Sequence, residues 1–177
     1  MEENQQDQNI LEMTIRPVGV VRNEVKKPAL AAEADDLKWR PRGRQQGYKK
    51  RISELVIEKK HADCLDGVEG FSHLLVLYWA HLVRPAGRRF TKVHPMGRDD
   101  LPLTGIFATC SPARPNPICV TAVRLLERAG NILKVEGLDA VDGSPIVDIK
   151  PYNPGFCTVE DVKVAAWMEK IHQERQH

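Results

Sequence analysis

Residues 72–81 read SHLLVLYWAH and carry the strongest strand signal in the chain. Leu74, Val76 and Tyr78 alternate with His73, Leu75, Leu77, Trp79 and His81. A period of two therefore gives one apolar face and one mixed face. Gly70 bounds the run on one side and Arg84-Pro85 on the other, which predicts a central strand of a buried sheet. Working outward, residues 14–22, 53–58, 120–127, 131–138 and 145–150 show alternation or β-branched enrichment, and several are bounded by Gly or Asp-Gly turn signals. In the first of these, Val18 and Val20 share a face and Gly19 permits close backbone approach. Short strands at regular spacing predict a mainly β barrel or sandwich, and the strand–helix alternation of a doubly wound sheet is missing.

Two segments fall outside that pattern. Residues 25–47 are rich in Pro, Gly, Lys and Arg and have no clear period, so they read as a long loop, a kind of segment that often carries function. Near the end of the chain, Thr158 can cap a helix, Glu160 and Asp161 suit its first turn, and Val164, Trp167, Met168 and Ile171 recur at helical spacing. That stripe suits packing against a core or a second subunit.

With 177 residues the chain fits one domain. It has 42% apolar and 28% charged residues, as soluble globular proteins do. The net charge of +2 neither demands nor excludes nucleic acid, so local clusters matter more. Lys38, Arg40, Arg42, Arg44, Lys49, Lys50 and Arg51 occur in one stretch without an acid, which suits either phosphate contacts or a solvated loop. Arg88, Arg89 and Lys92 form a second basic loop. Cys64, Cys110, Cys119 and Cys157 lack C-x-x-C spacing, so no metal site is expected and reduced thiols are the default. The start, MEENQQDQN, is polar and reads as part of a disordered lead over 1–12 without a signal sequence. The longest apolar run, 74–80, is too short to span a bilayer, and a cytoplasmic location is expected.

Residues 105–120, GIFATCSPARPNPICV, join two apolar runs through a loop containing Pro112, Pro115 and Pro117. Each ring fixes its own φ and pushes the preceding residue toward extended geometry, so Ser111, Arg114 and Asn116 sit on a pre-set backbone. Such a loop is either a ligand-holding element or a plain stiff connection. The clearest polar constellation is Asp139, Asp142, Asp148 and Lys150, with Asp148 and Lys150 on one strand face. That last pair alone reads equally as a surface ion pair. G-x-G-x-x-G, P-loop, H-E-x-x-H and G-x-S-x-G signatures are absent from the sequence.

Taken with GVEGFSHLLVLYWAH (67–81), HPMGRDDLP (94–102) and GLDAVDGSPIVDIKPY (137–152), the proline loop resembles the TsaA-like family, whose known members are TrmO-type methyltransferases acting on tRNA. The resemblance covers about residues 15–152. It implies a single TsaA-like β-barrel domain over 13–155 with a C-terminal helix over 156–177, S-adenosylmethionine as cofactor, and a homodimer with the cofactor near its interface. The cofactor positions it implies are His81, Leu82, Cys110, Val120, Glu136, Gly137, Leu138 and Asp139. Pro41, Arg42 and Gly43 are the nearest match to a Pro-Arg-Gln element of the family. Cys110 and Cys119 depart from the family's arginine and glycine. The resemblance gives Arg114, Asn116, Asp148, Lys150 and Tyr152 to the substrate. Asp148 and Lys150 are the only candidates for catalysis, and the catalytic base is left open.

The leading expectation is N6-methylation of threonylcarbamoyladenosine beside a tRNA anticodon, in a reaction that must hold methyl and nucleophile in line and remove a proton from nitrogen. A small-molecule acceptor, or a non-catalytic nucleotide or RNA-binding module, are the alternatives. No membrane or metal partner is expected.

Overall fold

The computed structural model describes residues 13–33, 36–39 and 48–174. Ten strands are described: β1 (Gly19–Arg22), β2 (Leu30–Glu33), β3 (Asp36–Trp39), β4 (Ile52–Ile57), β5 (His73–Trp79), β6 (Lys92–Val93), β7 (Thr104–Gly105), β8 (Ile118–Ala129), β9 (Ile132–Glu136) and β10 (Pro145–Pro151). Six of them close an antiparallel barrel in the order β1-β10-β5-β8-β9-β4, with β4 returning to β1. The remaining four form two hairpins, β2–β3 and β6–β7.

The alternation of residues 72–81 sets the inside of the barrel. Leu74, Val76 and Tyr78 are buried in its core, together with Leu55, Leu133 and Ile146 from neighbouring strands. Leu75 and Leu77 point outward and are half-buried. Closure needs β1 and β4 to touch, and Gly19 makes this possible. A Cβ there would lie 2.5 Å from the Val56 carbonyl oxygen.

Several boundaries differ from the sequence pattern. The first strand begins at Gly19 rather than at 14, because residues 13–17 are exposed and have no ladder partner to pair with. The segment 25–47, expected to be loop, contains the β2–β3 hairpin, with Leu30 opposite Trp39 and Glu33 opposite Asp36. No clear period marks it, because each strand is only four residues long and β2 is half-buried throughout; Leu30 and Ala32 pack on a second core of Leu37, Val93, Ile106 and Ala113. Residues 1–12 and the sequence 40–47, with Pro41, Arg42 and Gly43, lie outside the described residues.

The closing helix also starts later than its spacing suggests. A one-turn helix α1 (Pro154–Cys157) is capped by the Asn153 side chain, and Thr158 turns its hydroxyl back to the Pro154 carbonyl instead of capping a helix ahead. Asp161 then takes a positive φ of 54°, which helical residues do not adopt. The second helix, α2 (Ala166–Glu174), keeps Trp167, Met168 and Ile171 of the stripe and buries Ile171, while Val164 lies before it. Arg98 pairs with Glu174, and Lys170 with Asp100 at 2.8 Å, fixing α2 to the 98–100 turn. Among the described residues no helix is long and apolar enough to cross a membrane.

Candidate functional site

One end of the barrel gathers the chemistry. Strand β5 ends there at Trp79, β8 begins there at Ile118, and the segment 137–144 crosses the opening from β9 to β10. That crossing is set by Gly137, which leaves the strand at a φ of +95° and donates its N–H to Arg51 O. Leu138 then enters the barrel core fully buried, leaving Asp139 exposed beside it.

Three side chains hold this crossing segment. The Tyr78 hydroxyl donates to Asp139 O. The Asn23 amide donates to Ala140 O at 3.1 Å and to Ser53 Oγ at 3.0 Å, while Asn23 N donates to an Asp142 carboxylate oxygen at 2.9 Å. Asp142 also pairs with Lys26 at 2.6 Å, and that ammonium, with the Asn23 N–H, holds its carboxyl below the usual range. Tyr78, buried, has its hydroxyl pushed well above its ordinary value, chiefly by desolvation, so it stays a donor.

His81 does not close β5 as the alternation suggests. The strand ends two residues earlier, and His81 sits in the following turn with its N–H on Trp79 O. Its ring faces Gly143, and its Nδ1 is buried without a hydrogen-bond partner, as is Ser144 Oγ. Burial lowers the His81 pKa, against the pull of nearby Asp142, which favours the neutral imidazole. Two unpartnered polar atoms on adjoining turns are costly unless something meets them.

The proline loop reaches this end through Ala80 N, which donates to Pro117 O at 2.8 Å. Inside the loop Arg114 holds main chain through its Nε and Nη2. Its guanidinium donates to Ser111 O at 2.8 Å, to Ile106 O at 3.4 Å and to Thr109 O. Arg114 thus buttresses the loop. Cys110 is exposed. Cys119, opposite Tyr78 in the ladder, packs against the barrel core, and burial pushes its thiol up to about 11 against the pull of Arg114. Asn116 is exposed, and its carbonyl accepts from Ile118 N at 2.7 Å.

The other positions separate. Val120 faces outward, 62% exposed, and shares a row with Leu77 and Asp148 across β8, β5 and β10. Lys150 is one outward position further on and pairs with Asp148 at 2.7 Å, both well exposed. This pair lies on the outer wall, in the ladder rows of Leu77 and Leu75. Glu136 ends β9 opposite Ile52. Leu82 is exposed beyond His81. Tyr152 is at the opposite end of β5, its N–H on His73 O, and is not brought to the gathered site. Tyr78 and Asn23 were not singled out in sequence. The polar tip of a tyrosine on an all-apolar face is a usable signal, whereas nothing local marks Asn23 for the crossing segment, whose Ala140 and Asp142 lie more than 100 residues away.

A closed six-stranded barrel with a proline loop and a crossing segment at one rim defines a class. Residues 39–157 match the family described as tRNA-methyltransferase O N-terminal domain, and the chain belongs to it. Among relatives, a probable S-adenosyl-L-methionine-binding protein of Methanothermobacter thermautotrophicus is 45% identical over 142 residues, covering 80% of this chain and 91% of that protein. The tRNA (adenine(37)-N6)-methyltransferase of Escherichia coli is 42% identical over 118 residues, covering 63% of this chain and 50% of the enzyme. The crystal structure of TrmO from Pseudomonas aeruginosa superposes with a TM-score of 0.63 at 25% identity, covering 88% of this chain and 63% of that one. This chain therefore spans only part of the longer proteins it resembles.

Proposed function

We propose that the protein is an S-adenosylmethionine-dependent methyltransferase whose acceptor is N6 of a modified adenosine, threonylcarbamoyladenosine, next to a tRNA anticodon. The cofactor reading is supported by relatives named for binding S-adenosyl-L-methionine and by the fit of the rim. The observation that carries it is the meeting of His81, the proline loop and the 137–144 crossing at one end of the barrel.

The rim suits such a ligand. The buried Nδ1 of a neutral His81 can accept from an amino or hydroxyl group, and Asp139 and the main chain of Glu136–Asp139 can take ribose hydroxyls. Leu82 beyond His81, and Val120 on the adjoining outer wall, offer exposed apolar surface for an adenine face. When bound, the cofactor supplies an electrophilic methyl group. The chain's part is to hold the two reactants in line and to receive a proton from nitrogen, for which a neutral imidazole is better suited than the Lys150–Asp148 ion pair. Asp148 and Lys150 are assigned to positioning the acceptor, and Cys110 to filling the arginine's place.

The acceptor reading rests on the name of the Escherichia coli relative and on the family. We infer a homodimer, supported by the apolar outward row of Leu75, Leu77, Val120 and Ala122 on the barrel wall, and action in the cytoplasm, which rests on the tRNA acceptor reading.

The deciding experiment gives the purified protein labelled S-adenosylmethionine with tRNA lacking the methyl mark. Label is expected in an adenosine of the anticodon loop. Transfer to small metabolites alone would move the acceptor to the small-molecule alternative. Absence of any calorimetric signal with millimolar S-adenosylhomocysteine would overturn the cofactor reading and leave a non-catalytic module. Asp139→Ala is expected to weaken that signal.

A further inference from the structure

Phe107 is displayed rather than buried. Its side chain is 80% exposed, although the preceding Ile106 is anchored in the second core. The backbone beneath it is fixed on several sides. Ile106 N donates to Thr91 O at 2.9 Å, Thr109 N and Oγ1 both donate back to Ile106 O, and Arg114 grips the Ile106 and Thr109 carbonyls. An aromatic ring on so stiff a base loses little freedom on meeting a ligand. Leu103, on the other side of β7, is also exposed.

Charge narrows the ligand. From 84 to 98 the sequence holds Arg84, Arg88, Arg89, Lys92 and Arg98 and no carboxylate. Arg88 is engaged with the Trp79 ring at 5.4 Å and with Val83 O, and Arg98 with Asp100 and Glu174. Arg84, Arg89 and Lys92 are exposed and have no ion-pair partner among the described residues. The Ile106–Thr91 hydrogen bond and the pairing of Lys92 with Gly105 bring residues 89–92 alongside 105–107. A flat apolar face bordered by unpaired cations suits an unpaired nucleobase with its phosphates. A second copy docking through this same patch would set cations against cations.

We propose that Phe107 is a stacking platform for an unpaired base of the RNA acceptor, with Arg89 and Lys92 on the adjoining phosphates. The proposal rests on the tRNA reading above and adds a contact site to it. Phe107 lies three residues before Cys110, a position that the family resemblance gives to the cofactor.

The test measures binding of a labelled anticodon stem-loop RNA by anisotropy across a salt series, with S-adenosylhomocysteine calorimetry alongside. Phe107→Ala is expected to weaken RNA binding by roughly ten-fold, as loss of one stacking contact does, with an unchanged salt slope and unchanged cofactor affinity. Phe107→Trp should retain binding. The double change Arg89→Gln with Lys92→Gln should lower the salt slope by roughly one to two. If the parent protein binds RNA and Phe107→Ala binds it equally well, this proposal alone fails. It also fails if Phe107→Ala converts a dimer to monomer in sedimentation, since the ring then serves contact between copies. No RNA binding by the parent protein at low salt overturns both this proposal and the tRNA acceptor.

Discussion

The barrel and the layer beside it are built by different physics. The barrel is a continuous ladder of six strands around an apolar interior, with Leu55, Leu74, Val76, Leu133 and Val135 fully buried. The adjoining layer, made of β2–β3, β6–β7 and the proline loop, has strands as short as two residues and a core of four buried side chains. What holds it is polar and specific. Asp36 accepts from Leu37 N at 2.7 Å and His94 N at 3.0 Å and contacts the His94 ring. Arg114 ties three carbonyls. Gly97, at a φ of +66°, lets its turn approach β3 so closely that a Cβ would lie 2.4 Å from Leu37 O. Apolar burial is non-directional and makes a rigid scaffold, whereas directional hydrogen bonds make a layer that can be loosened contact by contact. The loop bearing Phe107 and Cys110 is held by several such bonds at once, which together keep it stiff.

The largest expected effect tests where the scaffold and the site meet. Leu138→Ala and Leu74→Ala should each lower global stability by about 2 to 5 kcal/mol, read by urea unfolding, because each leaves a cavity in the barrel. Only Leu138→Ala should also weaken S-adenosylhomocysteine binding, since Leu138 anchors the crossing segment beside Asp139. Equal loss of ligand affinity in both variants would mean that the barrel as a whole, and not the crossing segment, shapes the rim.

A smaller effect is expected from Asp36→Ala, about 1.5 to 3 kcal/mol for bonds to a charged acceptor, and it should be local. Burial works to raise the Asp36 pKa, but the His94 ring and the two main-chain N–H groups outweigh it and hold it below the ordinary value. A carboxyl depressed in the folded state contributes stability that is present above its unfolded pKa and disappears as pH falls through the folded one. Parent and variant should therefore differ at neutral pH and converge in acid below about pH 4. Hydrogen exchange should quicken in Leu30–Glu33 and Asp36–Trp39 while β5 stays protected. Equal quickening in β5 would show that barrel and layer open as one unit.

The smallest effect is expected on the outer wall. Lys150→Ala should change stability by less than about 1 kcal/mol, the usual value of an exposed ion pair, and leave cofactor affinity unchanged. A loss of cofactor binding there would extend the cofactor site along the outer wall from Val120 to the ion pair.

Sequence by itself determined the barrel's inner face, because alternation is a property of neighbouring residues and Leu74, Val76 and Tyr78 had to share a side whatever they packed against. It also determined the stiffness of the proline loop, which is set by covalent rings, and the family, which four ordered motifs carry. Tertiary structure alone decided that Asn23 holds Ala140 and that Tyr78 holds Asp139. It alone found the β2–β3 hairpin and moved the last helix past Thr158. It also set Asp148 and Lys150 on the outer wall and Tyr152 at the far end. The reason is one of range. Period, capping and proline geometry act over a few residues and can be read in order along the chain. A hydrogen bond between residues more than 100 positions apart exists only once strand order and register have been fixed.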